Sequence, residues 1–154
     1  MLLTVLHAAM VVLVALVMGA SFSHVLEMPP KMAASGQFWV NCQHILYRYY
    51  RFVAGPAEIA ALLITAGFVY FGLGRSGSYA TVIAVISLIF ALILWMMMTE
   101  PANRQIAKWN PERLPADWAR WRTRWEYSHL IRFALHLVAL VSLLVRLLMQ
   151  VRQE

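Results

Sequence analysis

The chain has 154 residues, enough for one domain. Hydrophobic residues make up 62% and charged residues 13%, against about 45–50% and about 25% in soluble domains, which excludes an ordinary water-soluble fold. The net charge of +6 gathers in the links between apolar runs, a pattern of membrane topology rather than of nucleic-acid binding. Cys42 is the single cysteine, so neither an internal disulfide nor a cysteine-rich metal site can form.

Four apolar runs follow one another, each near the roughly 20 residues that a helix needs to cross a bilayer. The first covers about 2–26. It lacks a basic leader and exceeds the apolar core of a cleavable signal, so it is expected to stay as a span. Pro29 and Pro30 are expected to end it. The second run covers about 52–73 and is expected to continue a helix that begins near Gln37. The third covers about 79–98 and the fourth about 127–148. Gly74 to Ser78 reads as a short turn that makes spans two and three antiparallel neighbours. The fold expected is all-α: a single domain over residues 1–154, a transmembrane four-helix bundle with a short interfacial helix before the last span.

That interfacial helix begins at Leu114-Pro115-Ala116-Asp117, a helix-start signal. Trp118, Trp121 and Trp125 then share one face, with Arg120, Arg122 and Arg124 largely on the other. The expectation is tryptophans in the headgroup zone and arginines toward lipid phosphate. Ala15, Gly19 and Ser23 form a small-residue stripe on span one, which lets another helix approach closely. Met96, Met97 and Met98 read as span lining.

Ionisable residues inside a bilayer are costly, and each one asks for a reason. His24 and Glu27 lie near the end of span one. His44, Tyr47, Arg51 and Glu58 fall close to one stripe on the second helix. Glu100 and Asn103 flank Pro101 after span three. Trp125, His129, Arg132 and His136 share a face of span four. All four sets lie at the same membrane side, so a bundle points them at a common polar pocket. Glu58 is expected to pair there with Arg132 or His136, and Glu27 with Lys31. His7 falls near the opposite face and is read as interfacial.

At Pro101-Ala102-Asn103 and at Trp125-x-x-x-His129-x-x-Arg132 the sequence resembles the anthrone oxygenase-like family of small four-span membrane proteins. His24-Val25-Leu26-Glu27-Met28-Pro29 is similar to one bacterial branch of it. The likeness extends over nearly the whole chain, span order included, and the matching residues are Asn103, Trp125, His129 and Arg132. For the fungal members it implies oxidation of an anthrone to an anthraquinone by molecular oxygen, without a recognised cofactor.

Three functions are compatible with these residues. An oxidoreductase of that type would use His129 as general base, with Arg132 and Asn103 stabilising an enolate oxygen. Trp125, Tyr47, Glu58 and His136 would line the substrate site. A metal or haem centre would draw on His24, Glu27, His44, Glu100 and His129. A non-enzymatic accessory subunit or carrier would hold a small hydrophobic ligand and pack on further copies or other subunits. No cofactor is required by the first reading, and lipid is a partner in all three.

Sidedness follows from nine basic residues in two long loops: Lys31, Arg48 and Arg51 in one, Arg104, Lys108, Arg113, Arg120, Arg122 and Arg124 in the other. Arg75, Arg152 and Arg146 stand against them on the opposite side. This places the long loops in the cytoplasm of a cell-membrane protein and both termini outside. Glu112→Cys should therefore react with a membrane-impermeant thiol reagent only after the cells are opened. Labelling of intact cells would reverse the orientation.

Overall fold

The computed structural model describes residues 2–71 and 78–151. The turn at 74–77, Arg152 and the side chain of Arg51 lie outside the described residues. Among the described residues six α-helices run in order: α1 Leu2–Ala33, α2 Gly36–Ile45, α3 Tyr50–Tyr70, α4 Ser78–Leu94, α5 Glu100–Ile106 and α6 Trp118–Val151. A π-helical turn, Trp95–Thr99, joins α4 to α5. Among the described residues four stretches are long and apolar enough to cross a membrane: Val5–Ala33, Phe52–Tyr70, Tyr79–Ile106 and Trp118–Met149. The chain is an all-α, multi-pass membrane bundle.

The packing order follows from which helices touch. α6 packs against α1 and α4, and α3 packs against the same two. The four spans thus form a square in which α3 and α6 face each other across the diagonal. Large apolar side chains point outward, among them Leu16, Leu63, Phe90 and Leu148. The buried set includes Glu58, Arg132, His136 and Arg146. A water-soluble bundle has the reverse distribution, and a bilayer rewards this one.

The interior has two layers. Toward the terminal end, Met10, Val14, Phe68, Leu88 and Leu143 form a dry core. Toward the loop end, Trp39 and Val40 of α2 cluster with Ala102, Ile106 and Trp125. α2 is thereby seated as a cap on the loop end. Ser35 starts it, its Oγ accepting from the Phe38 N–H at 3.3 Å. Gly36 is needed because an added Cβ would come within 2.5 Å of Leu114 and 2.9 Å of the Trp118 ring.

Several expected boundaries are corrected. Pro29 and Pro30 do not end α1, which runs through them to Ala33. Each proline removes one amide donor, but the following turn is fastened from outside. Arg122 donates to the carbonyls of Lys31 and Ala34 at 3.3 and 2.9 Å. The second span does not continue the helix that begins near Gln37. A turn at 46–49 separates α2 from α3, and there the Tyr50 N–H bonds the Tyr47 carbonyl at 3.2 Å, an i→i−3 bond that breaks the helical register.

Span three goes on past Met98 through the π turn into α5. Pro101 explains the wide turn. It has no N–H for the carbonyl of Met97, four residues back, and its ring pushes that carbonyl aside. Arg124 supplies the missing donor.

The tryptophan segment is helical but is not a separate interfacial helix. It forms the first turns of α6, because no glycine or proline interrupts the chain after Pro115. Trp125 is buried in the core and Trp118 packs on Gly36. Arg122 and Arg124 bind backbone carbonyls instead of reaching for phosphate. At the terminal end, His7 is buried rather than interfacial, edge-on to Phe68 and 3.4 Å from the Leu143 carbonyl. Arg146 is likewise buried, donating to Thr81 at 2.5 Å and lying over Phe68.

Candidate functional site

The polar faces of α1, α3 and α6 meet inside the bundle. Glu58, on the inner face of α3, reaches across the diagonal to α6. Arg132 donates to one carboxylate oxygen at 2.5 Å, and His136 Nε2 donates to the other at 3.1 Å. Ser21 of α1 lies 3.1 Å from His136 Nδ1 and also bonds the Val17 carbonyl. All four residues are buried. Both carboxylate oxygens are engaged, so the pair is electrically neutral as a unit and takes no lipid contact.

Above this group, toward the loop end, is a cavity of about 350 Å³. Its walls include His24 of α1, Gln43 and His44 of α2, Asn103 of α5, Tyr47, and Trp125, His129 and Arg132 of α6. The aromatic rings are closely packed. His24 lies 4.2 Å from His129, 4.6 Å from Tyr47 and 4.9 Å from Trp125, centroid to centroid. Trp125 is 4.2 Å from His129. Neither ring nitrogen of His129 has a hydrogen-bond partner, nor do His24 Nδ1, Gln43 Nε2 and Arg132 Nε. An unpaired buried polar group costs about 1–3 kcal/mol, so each of these atoms favours a contact with a hydrogen-bonding partner.

Of the residues singled out in the sequence, His129, Arg132, Asn103, Trp125 and Tyr47 line the cavity. Glu58 and His136 sit behind Arg132 and hold it in place. Asn103 accepts from Trp125 Nε1 at 2.8 Å. One lone pair of its oxygen is thereby used, and its amide nitrogen remains a donor.

The five candidate metal ligands do not come together. His44 Nε2 donates to the Ile106 carbonyl at 2.9 Å, and Glu100 holds Arg104 at 2.8 Å on the surface. Glu27 accepts from the Tyr47 hydroxyl and lies 3.6 Å from Lys31. Among the described residues no three of His, Cys, Asp and Glu converge on a point. His24 and His129 remain close, but rings 4.2 Å apart are in direct contact. Two axial imidazoles need their nitrogens about 4 Å apart with the iron between them, at metal–nitrogen distances of about 2.0–2.1 Å. The contact between these two rings leaves no room for an iron between them.

A second polar group escaped the sequence reading. Lys31, which counts as a loop charge by position, is buried with Glu126 at 3.2 Å. It also lies over the rings of Trp125 and Tyr47 at 4.7 and 5.0 Å. Trp39 Nε1 donates to Glu126 at 2.8 Å. The available signal was that Glu126 is the one acid between Trp118 and Val151. Thr99 and Ser128, 2.9 Å apart, tie the π turn to α6. Gln43 carried no sequence signal.

Burial and the hydrogen bond to Glu27 push the Tyr47 phenol well above its ordinary range, so it remains a neutral donor. Burial also pushes the Cys42 thiol up, which leaves it a poor nucleophile. Comparison with family models, with curated proteins and with solved structures finds no match for this chain.

The Tyr47 environment has a pH signature. A group whose folded pKa is raised contributes stability that is complete below its unfolded pKa and is lost as pH rises from there toward the folded value. For Tyr47 that loss begins near the unperturbed pKa of 10.0. Thermal unfolding in detergent above that pH should show a smaller alkaline loss of stability for Tyr47→Phe than for the native chain. Equal alkaline slopes would show that the Tyr47–Glu27 bond does not hold the phenol neutral.

Proposed function

We propose that the cavity binds a flat, hydrophobic phenolic or keto compound drawn from the bilayer, and that the chain is a membrane oxidoreductase of the anthrone oxygenase type. The observation that carries this reading is His129: a buried imidazole, walled by aromatic rings, with neither nitrogen partnered. A core histidine of purely structural role satisfies at least one nitrogen, as His44 and His136 do. An unpartnered imidazole beside a cavity is a candidate general base for a proton on a ligand.

The chemistry can be written for an aryl ketone with an acidic CH2 group. His129 takes one proton from the CH2, and the electron pair becomes an enolate. Arg132 and the amide nitrogen of Asn103 stabilise the negative oxygen in this reading. Molecular oxygen accepts the electron pair through its bond to carbon, and the protonated His129 returns its proton to give a hydroperoxide. Loss of the second C–H proton to His129 breaks the O–O bond. The departing hydroxide takes that proton and leaves as water. One CH2 and one O2 give one C=O and one H2O.

Glu58 and His136 enter as positioning residues. They fix the Arg132 guanidinium and compensate its charge, which the bilayer would not. Trp125 offers a face for ring stacking. A carrier of the same ligand would use the same cavity without turnover, so the test must separate binding from chemistry.

The protein in lipid nanodiscs, supplied with anthrone, should consume oxygen and form anthraquinone in equal amounts. His129→Ala should slow this by at least about 100-fold, the lower range of general-base contributions, while the variant still binds anthrone. Binding of anthrone without oxygen uptake would replace the oxidoreductase reading with that of a carrier. An undiminished rate in His129→Ala would remove His129 from the reaction.

A further inference from the structure

We infer that the cavity opens sideways into the loop-end half of the bilayer, through a slot between the first turns of α3 and the π turn, and that the bare backbone at Gly55 keeps this slot passable to an uncharged flat molecule dissolved among the acyl chains. This deepens the reading of the cavity as a ligand site, and rests on it, by assigning the route of entry. Ala54 and Gly55 of α3 line the cavity on one side, and Trp95 and Thr99 of the π turn line it on another. α3 packs on α1 and α4, and the π turn packs on α4, α5 and α6. Among the described residues α3 and the π turn are not packing neighbours.

The inner face of α3 shows where the bundle parts. Helical residues three and four apart share a face, so Ala54, Gly55, Glu58, Ala61 and Thr65 form one stripe. Glu58, Ala61 and Thr65 are buried, whereas Ala54 and Gly55 are partly exposed. A side-chain carbon added at Gly55 would meet nothing within 4 Å. The face that is packed at Ala61 therefore fronts open space at Gly55, roughly 9 Å nearer the loop end at 1.5 Å per residue. Gly55 belongs to the first turn of the Phe52–Tyr70 span, which sets this space at acyl-chain depth. The neighbouring surface is apolar: Phe52, Val53 and Met96 are 60%, 72% and 62% exposed. Arg48, exposed and also lining the cavity, stands nearer the headgroups. An apolar rim admits uncharged solutes, while a charged one would have to shed its hydration to pass. Glycine weakens a helix interior relative to alanine, and here the missing side chain leaves the passage free.

The test is photolabelling of the full chain in phosphatidylcholine nanodiscs, with the flash given at increasing delays after the probe is added. One probe is an uncharged phenyldiazirine, which dissolves in the bilayer. The other is its sulfonated analogue, which stays in water. Labels are mapped by peptide mass spectrometry. Trp125 and His129 are buried from lipid, so a label there reports entry into the cavity. In the native chain the uncharged probe should label them and the sulfonated probe should not. Gly55→Trp should take the uncharged label there at least about tenfold more slowly, a barrier higher by about 1.4 kcal/mol. Labelling of the outward-facing Leu16 and Leu63 should not change. Gly67→Trp, on the same helix with equal space around it but outside the cavity wall, should keep the native rate. The inference is overturned if the sulfonated probe labels the cavity as fast as the uncharged one, since entry would then be from water at the loop end. It is also overturned if Gly55→Trp is labelled at the native rate, whatever the final level, or if Gly67→Trp is slowed equally. Anthrone oxidation by the native chain without any cavity label would remove this inference alone. Cavity labelling that Gly55→Trp delays, in a chain that oxidises no anthrone, would keep the route and remove the proposed chemistry. Absence of both labelling and oxidation would remove the two together.

Discussion

A carboxylate inside a bilayer has no solvent and no lipid group to pair with, so the chain must supply the partner itself. Glu58 meets this constraint by reaching across the bundle diagonal to Arg132 and His136. Helices α3 and α6 are not packing neighbours, and the bond between them therefore passes through the centre of the four-helix square. Removing one partner of such a pair leaves an uncompensated buried charge, at a cost of about 3–5 kcal/mol. The rotation of α3 and of α6 about their axes is thereby fixed together, and with it the set of side chains that face inward. Trp125 and His129 precede Arg132 by seven and three residues, so once Arg132 points to the centre they do too. The cavity is a consequence of that orientation.

Most of the polar ties in the structure have one end on α6. Arg122 holds the end of α1, and Arg124 takes the carbonyl that Pro101 leaves free. Glu126 holds Trp39 and Lys31. Ser128 meets Thr99, and Trp125 meets Asn103. Near the far end, Arg146 bonds Thr81. In a bilayer, apolar side chains gain little by leaving lipid for protein, so hydrogen bonds and close packing decide how helices associate. α6 acts as the post to which the other spans and the cap helix are attached. This also explains why it is unbroken from Trp118 to Val151: the loop-end ties and the intramembrane ties must keep one register.

The four spans were legible because a bilayer imposes length and apolarity directly on the sequence. The Glu58–Arg132–His136 group was legible for a related reason, since ionisable residues stand out in apolar runs and helical spacing tells which of them share a face. Other features depended on contacts that local pattern does not encode. Pro29 and Pro30 read as a stop, yet α1 continues because Arg122, some ninety residues later, holds the following carbonyls. Lys31 read as a loop charge, yet it is buried with Glu126. The break between α2 and α3 at 46–49 carries no glycine or proline to announce it. Gln43 is an ordinary residue on a short helix, and its place in the cavity wall comes from how that helix is seated on Trp125 and α5. His24, grouped in the sequence with possible metal ligands, instead joins the ring cluster around His129.

The most direct test of this account is a double-mutant cycle across the bundle diagonal, measured by thermal stability in detergent. Glu58→Gln, Arg132→Gln and the double variant are compared with the native chain. If the two side chains pair inside the bundle, each single variant strands one buried charge, and the double variant is less destabilised than the sum of the two, by more than the roughly 0.3–0.5 kcal/mol scatter of independent sites. Strictly additive losses would mean that the two residues do not meet, and the orientation of α3 and α6 on which the cavity depends would be wrong.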